Sequence, residues 1–205
     1  MERQFQRAFF HDLAAALSGA SLQIELAYRR ASRGEDSTGA TEQARAALSR
    51  AIALFEGARE LLVRSPASPE ALDFDALVEE AASASGHVIE VRGQTGGRVR
   101  GDRARLSAAL TALLRNAGEA SPGGGSAVAR ERDRGLLRVV VENPGRLPDP
   151  DPERLFSPRA ARDDGSWGFG LPAARIYAAE AGGRLTLAQS GERVVAALEL
   201  PEESA

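Results

Sequence analysis

Two long stretches of helical periodicity at the start of the chain restrict its fold most. Apolar residues recur at spacings of three and four over residues 2–31 and again over residues 41–63, on either side of a polar, glycine-containing connection at residues 32–39. The stripe of the first helix comprises Leu13, Leu17, Ala20, Ile24 and Ala27. Two such helices joined by a short loop predict an antiparallel hairpin, and a lone hairpin covers only one side of each stripe. We therefore expect a homodimer in which two hairpins form a four-helix bundle.

A different pattern follows residues 64–69, where two prolines among small residues predict a domain linker. We predict a first domain at residues 1–65 and a second at residues 70–205. The predicted helices of the second domain span residues 73–85, 102–120 and 169–181. Its predicted strands span residues 87–91, 127–131, 136–141, 184–187 and 194–200. The whole chain is thus predicted to be α+β, with an antiparallel second-domain sheet that packs helices on one face.

A long segment at residues 146–167 separates two of these predicted elements. It contains four prolines and many charges, and it shows little periodicity. Segments of this kind in compact domains are usually functional lids or disordered. We predict a long mobile loop here.

Composition excludes several classes of function. With 26 basic and 29 acidic residues the net charge is −3, which argues against nucleic acid as a partner because phosphate binding needs a clustered basic excess. There is no cysteine, so disulfides and thiolate metal sites are excluded. No apolar run approaches the ~20 residues that span a bilayer, and the first residues lack the apolar core of a signal peptide. We expect a cytoplasmic protein with no membrane segment in this chain.

His11 and Asp12 form the first candidate site, inside the first predicted helix. At about 100° per residue, His11 falls about 160° from Leu13, nearly opposite the apolar stripe. A core histidine is therefore not expected. An imidazole near neutral pH can accept a phosphoryl group or a proton, whereas an ordinary solvated histidine is the alternative that this helix alone leaves open.

Two asparagines in the second domain have amides suited to a nucleotide. Asn116 is offset from the apolar face of its helix, and an amide oxygen is a hard ligand that suits Mg²⁺ bound with a polyphosphate. Asn143 ends a strand before Pro144 and Gly145, where its amide can hydrogen-bond a purine edge. Each segment also has an ordinary structural explanation, as a helix-terminal asparagine and as a turn after a strand.

A glycine-rich turn at residues 165–171 enters the last predicted helix. Glycines allow close approach of the backbone to a phosphate, and the start of a helix offers N–H groups and the positive end of its dipole. The turn lacks the Lys-Ser/Thr of a P-loop and the surrounding βαβ unit of a dinucleotide site. It is therefore a candidate phosphate turn of another type.

Together, in this order, the segments resemble the ATP-binding domain of the histidine kinases, which shares its fold with gyrase, Hsp90 and MutL-type ATPases. Residues 102–117 look like the asparagine box and residues 142–148 like the first glycine box. Residues 153–158 look like the phenylalanine box and residues 166–175 like the second glycine box. Upstream, residues 10–13 with the helical hairpin look like the dimerisation and phosphoacceptor domain. The resemblance implies a histidine-kinase-type α/β sandwich after the hairpin.

The resemblance also implies roles for individual residues. Asn116 would hold Mg²⁺, and Asn143 occupies the position of the Asp that usually contacts the adenine amine. His11 would accept the γ-phosphoryl group of ATP, and Asp12 would orient the imidazole or take its proton. The other implied nucleotide and lid residues are Gly145, Phe156, Gly168, Gly170 and Leu171. The implied cofactors are ATP and Mg²⁺, and the implied partner is a response-regulator receiver domain.

The sequence departs from the family at several of these positions, so four functions are weighed. Ala16 replaces the proline after the phosphoacceptor, Ala112 replaces an asparagine, Glu119 replaces a basic residue, and Ser166 replaces a glycine. The leading hypothesis is a histidine kinase core that autophosphorylates His11 and passes the phosphoryl group to a response-regulator Asp. The alternative is a dimeric histidine phosphotransferase with a degenerate ATP domain, which relays phosphoryl groups between receivers. A scaffold module without chemistry and an anti-sigma-type serine kinase are the remaining two.

Overall fold

Two long helices occupy the N-terminal part of the computed structural model, which describes residues 2–62, 66–157 and 168–203. They are α1 (Glu2–Ser32) and α2 (Thr38–Leu62). The Asp36 carboxylate accepts a hydrogen bond from the Thr38 amide at 2.9 Å, which satisfies one of the open N–H groups at the start of α2. Phe9 and Ala58 belong to one buried cluster, so the beginning of α1 lies beside the end of α2. None of the described helices is both long enough and apolar enough to cross a membrane.

The chain divides into two compact units. The helical unit comprises Met1–Arg64 and Pro158–Phe169, and the sheet unit comprises Ser65–Ser157 and Gly170–Ala205. In the described part of the helical unit, α1 and α2 contact each other, and their buried side chains are mostly alanines. These buried alanines are Ala20, Ala40, Ala44, Ala47, Ala51 and Ala58.

The sheet unit contains seven strands and three α-helices among the described residues. The helices are α3 (Phe74–Ala84), α4 (Arg103–Ala120) and α5 (Gly170–Glu180). The strands are β1 (Glu70–Asp73), β2 (Glu90–Arg92), β3 (Arg98–Gly101), β4 (Ala127–Asp133), β5 (Leu136–Pro144), β6 (Arg184–Ser190) and β7 (Arg193–Pro201). Five strands form one sheet in the order β2-β4-β5-β7-β6, and β1 pairs with β3 in a separate antiparallel ribbon.

The prediction of an antiparallel sheet is wrong at one edge, because β2 pairs with β4 in parallel. Between these strands the chain forms β3 and then α4, which returns it to the end of the sheet where β2 began. A parallel neighbour needs such a crossover, whereas the predicted hairpins need only a tight turn. The strand predicted at residues 87–91 is correspondingly shorter and begins three residues later.

One face of the five-stranded sheet packs against the three helices. The alternate residues of β5, namely Leu137, Val139 and Val141, are at most 1% exposed, and they meet the buried face of α4 in one continuous core. Asp102 caps α4, since its side chain accepts a hydrogen bond from the Arg105 amide. The predicted α+β order, with helices on one face of the sheet, is therefore observed.

The predicted loop at residues 146–167 contains an ordered 3₁₀ helix at Pro152–Phe156. Asp151 caps it by accepting a hydrogen bond from the Glu153 amide at 3.1 Å. Phe156 at its end is only 9% exposed, so a single aromatic side chain fixes this part of the segment to the core. This part of the predicted loop therefore contains one helical turn. The mobility of the segment stays a prediction, and residues 158–167 lie outside the described part of the chain.

Candidate functional site

His11 projects from α1 into solvent, as its helical phase predicts. Its side chain is 81% exposed, and its Nδ1 atom lies 3.0 Å from Oδ1 of Asp12. When the proton is on Nδ1 and is donated to this carboxylate, Nε2 carries the lone pair. The neighbouring Phe9 is buried and contacts the Phe10 ring edge-on, with 5.2 Å between centroids. The helix therefore buries one side of this turn and presents a nucleophilic nitrogen on the other.

Asn143 lies at the end of β5 and is only 7% exposed. Its Nδ2 donates a hydrogen bond to the carbonyl oxygen of Pro144 at 2.9 Å, so Oδ1 is the remaining acceptor of the amide. Gly145 follows with a φ of 129°, a conformation that glycine adopts without strain. Its amide donates to the Glu192 carbonyl at 2.9 Å, which joins this turn to the β6–β7 hairpin.

Asn116 lies half-buried in the second half of α4. One helical turn before it, a Cβ added at Gly170 would lie 3.3 Å from the Cβ of Ala112, so the start of α5 rests against this face of α4. One residue beyond Asn116, the carbonyl of Ala117 accepts a hydrogen bond from the Ser126 hydroxyl at 3.0 Å. The following residue in the chain, Ala127, pairs with Glu142 of β5.

These contacts bring three of the predicted segments together around α4. The start of α5, with Gly170 and the half-buried Leu171, lies at one turn of the helix, and the end of β5, with Asn143, approaches the next. Asn116 lies between these two contacts. The sheet unit thus gathers the N-terminus of α5, the amides of Asn116 and Asn143, and the turn at Gly145, a set of groups suited to phosphates and a purine.

Phe156 is held by a residue that the sequence analysis missed. The guanidinium of Arg175, on α5, lies 4.5 Å from the centroid of the Phe156 ring, within the range of a cation–π contact. The same guanidinium donates to Glu153 at 2.6 Å. Arg175 therefore ties both ends of the 3₁₀ helix to α5. Its spacing from Gly170 fits a helix, but nothing in the sequence showed which aromatic ring it would cover.

One predicted nucleotide residue, Gly168, is not part of this grouping in the sheet unit. Gly168 belongs to the helical unit and is exposed, and no atom of the described residues lies within 4 Å of a Cβ added to it. The next residue, Phe169, belongs to the buried cluster of the helical unit with Phe9 and Ala58. The second glycine box is therefore shared between the two units, with Gly170 and Leu171 in the sheet unit.

Neither a cluster of metal-ligating side chains nor the surface cavity described here marks the predicted site in the described part of the chain. Among the described residues, no three His, Cys, Asp or Glu side chains converge as a metal site. A surface cavity of about 640 Å³ is lined by Arg98, Arg132 and Glu202, among others. Arg132 and Glu202 pair with each other at 2.7 Å, so the charges of this cavity neutralise one another, and no predicted site residue lines it.

The chain is similar to solved structures of histidine kinases. The catalytic domain of the histidine kinase ThkA is 26% identical over 66% of this chain and 96% of that chain, with a TM-score of 0.58. ThkA in complex with the response regulator protein TrrA matches 98% of this chain and 61% of that chain, at 19% identity and a TM-score of 0.75.

Two further kinases match nearly the whole chain. Acinetobacter baumannii histidine kinase AdeS covers 95% of this chain and 98% of that chain, at 18% identity and a TM-score of 0.70. Full-length ShkA in complex with AMPPNP covers 99% of this chain and 46% of that chain, at 20% identity and a TM-score of 0.63. No protein-family model and no curated protein matches the sequence. The resemblance predicted from the four boxes is confirmed: this chain is a structural relative of the histidine kinases, and its sheet unit has the fold of their catalytic domain.

Proposed function

We propose that this chain is a two-component histidine kinase core that transfers the γ-phosphoryl group of ATP to His11 and then to a response-regulator Asp. One observation carries the proposal. Asn116, the Asn143–Gly145 turn and the start of α5 converge around α4 in a unit with the fold of a histidine kinase catalytic domain. A separate unit presents an exposed imidazole with a carboxylate 3.0 Å away.

The residues of the sheet unit fit ATP with Mg²⁺. Nδ2 of Asn143 donates its hydrogen bond to the Pro144 carbonyl oxygen. Oδ1 is therefore the atom that can accept a hydrogen bond from the 6-amino group of adenine. The start of α5 offers backbone N–H groups and a positive dipole end to phosphates. The Asn116 oxygen is a hard ligand for Mg²⁺, which would neutralise phosphate charge when bound together with the nucleotide. The complex of the relative ShkA with AMPPNP supports this assignment.

His11 and Asp12 have the arrangement that phosphoryl transfer to nitrogen requires. Asp12 holds the proton on Nδ1 and leaves Nε2 as the nucleophile. The bond from Nε2 to the γ-phosphorus forms as the bond to the bridging oxygen breaks, and ADP leaves with that electron pair. The positive charge that develops on the imidazole is balanced by Asp12, which takes the Nδ1 proton.

Two partners are proposed for this core, a second copy of the chain and a receiver domain. Several large apolar side chains of α1 and α2 are exposed, as in Leu22 at 67% and Phe55 at 58%, and the pairing of two copies into a four-helix bundle would cover such side chains. We therefore propose a homodimer. The complex of ThkA with the response regulator TrrA supports a receiver domain as the phosphoryl acceptor.

The experiment that tests this function uses γ-labelled ATP with Mg²⁺ on the full chain. We expect label on the wild type and none on His11→Gln, because Gln has no nucleophilic nitrogen. His87→Gln is the matched control, since His87 is the only other histidine and it packs against Gly118 of the sheet unit. Asn116→Ala should remove label and weaken binding of a Mg²⁺–ATP analogue.

Two outcomes would contradict the proposal. A wild type that accepts label from a phosphorylated receiver but not from ATP is a phosphotransferase. Label that survives His11→Gln and disappears in His87→Gln shows that the phosphoacceptor was assigned to the wrong histidine.

A further inference from the structure

Gln189 makes an unusual number of hydrogen bonds for an exposed side chain. Its Oε1 accepts from the amide of Leu147 at 2.8 Å. Its Nε2 lies 3.1 Å from the Gly145 carbonyl oxygen, 2.8 Å from that of Gly191 and 3.1 Å from that of Arg193. One amide therefore satisfies backbone groups on two separate segments, the turn after β5 and the hairpin between β6 and β7.

The strand register places Gln189 in line with the adenine-contact candidate. Gln189 pairs with Val194 on β7, and Val194 pairs with Asn143 on β5. Residues directly opposite each other in a sheet project from the same face. Gln189 and Asn143 thus share the helix-covered face, two strands and about 10 Å apart.

From this geometry we infer that Gln189 is a positioning residue of the nucleotide site, which sets the conformation of the Gly145–Leu147 turn beside Asn143. The inference rests on the proposed function, because that function makes the turn part of the site. Gly145 has few conformational restrictions of its own, and the turn needs external hydrogen bonds to keep one conformation. Gln189 supplies them on both sides, to the carbonyl of Gly145 and to the amide of Leu147.

The orientation of the amide makes the role specific to glutamine. Nε2 faces three carbonyl oxygens and Oε1 faces an N–H group, so only a side chain with a donor and an acceptor satisfies both sides. A glutamate of the same shape would place a carboxylate oxygen against these carbonyls and lose the donor. Gln189→Glu should consequently disturb the turn at least as much as Gln189→Ala, although it conserves size.

Two readouts on the full-length chain test the assignment. The first is hydrogen exchange of the Leu147 amide without nucleotide, which we expect to become at least about tenfold faster in both variants because its acceptor is displaced. The second is the affinity for a Mg²⁺–ATP analogue, which we expect to fall about fivefold to tenfold, the weight of one or two hydrogen bonds. In the kinase assay this appears as a raised KM for ATP with kcat retained, because the turn lies near the base and not near the transferred phosphoryl group.

Glu192→Ala is the matched control. Glu192 is an exposed neighbour on the same hairpin that contacts Gly145 through its backbone carbonyl alone, so its substitution should leave both readouts unchanged. Unaltered exchange at Leu147 in Gln189→Ala overturns the assignment, whatever the nucleotide result. Faster exchange with unaltered affinity overturns it as well, since Gln189 would then hold the turn without serving the site. A wild type that binds no ATP analogue contradicts the proposed function instead, and the exchange result then still reports whether Gln189 holds the turn.

Discussion

The two units of this protein bury different kinds of side chain. In the sheet unit, Leu110, Leu114, Val128 and Leu198 are completely buried. In the described part of the helical unit the buried side chains are mostly alanines, while Leu22, Tyr28 and other large apolar residues are more than half exposed. Apolar burial contributes about 25 cal/mol per Å². The sheet unit gains this contribution within one chain, whereas the helical unit exposes several large apolar side chains, which the proposed second copy would cover.

The largest expected effect is on the dissociation constant of the proposed homodimer. Glutamates at both Ile52 and Phe55, which are 56% and 58% exposed, should raise the dissociation constant of the homodimer at least about a hundredfold, since each would place an unpaired charge in the interface. Sedimentation velocity across a concentration series measures it. Gln43→Glu adds the same charge on the opposite side of α2, about 180° from Ile52, and should leave the dimer intact. A double variant that still sediments as a dimer would show that this face of α2 is not the interface.

A matched pair of leucines compares the two cores directly. Leu110→Ala, at a residue with 0% exposure, should destabilise the sheet unit by about 2–5 kcal/mol because it creates a cavity. Leu22→Ala, at a residue with 67% exposure, should change the stability of the monomeric chain by less than about 0.5 kcal/mol. Native-state hydrogen exchange resolves the units separately and measures both. Equal losses in the monomer would remove the distinction between the cores.

A pair of glycines compares backbone packing. A Cβ at Gly183 would lie 2.1 Å from the carbonyl oxygen of Glu199, so Gly183→Ala must displace backbone, at a cost of about 2–4 kcal/mol. At Gly19 in α1, no atom of the described residues beyond the neighbouring helix backbone lies within 4 Å of the added Cβ, and alanine should stabilise the helix by about 0.5–1 kcal/mol. Thermal unfolding, followed by circular dichroism, measures whether each substitution lowers or raises the stability. A destabilising Gly19→Ala would indicate that a second copy packs closely there.

The smallest effect concerns acid stability of the sheet unit. Hydrogen bonds from Arg184 and Arg138 hold the pKa of the Glu199 carboxyl below its ordinary value of 4.5. The folded state therefore binds fewer protons than the unfolded state near that pH, so the stabilisation is complete above pH 4.5 and is lost as the pH falls through the lower folded pKa.

Glu199→Gln tests the ion pairs of Glu199 with Arg138 and Arg184. It should cost about 1–3 kcal/mol at pH 7 and reduce the difference in stability between pH 7 and pH 3, as measured by urea unfolding. An unaltered pH dependence would assign the acid sensitivity to another carboxylate, such as Asp75. Burial works to raise the pKa of Asp75, but hydrogen bonds from Gly96 and Thr95 outweigh it and lower that pKa.

The sequence was sufficient wherever local chemistry decides the structure. The two long N-terminal helices follow from the periodicity of their apolar residues. The exposure of His11 follows from its helical phase alone. The boxes around Asn116, Asn143 and Gly170 indicated the kinase fold because each box is a short motif whose residues lie close together in the chain.

Tertiary structure decided what depends on distant pairing. The strands β1 and β3 have only four residues each, too few for their pattern to predict a strand, and they exist because they pair with each other. The parallel β2–β4 edge follows from the crossover through α4. Phe156 is buried only because Arg175 and the core meet it, and Gln189 joins the Asn143 turn only because β7 sets the register between β6 and β5. Such contacts cannot be predicted from local sequence, because the free energy that selects them comes from residues that are distant in the chain.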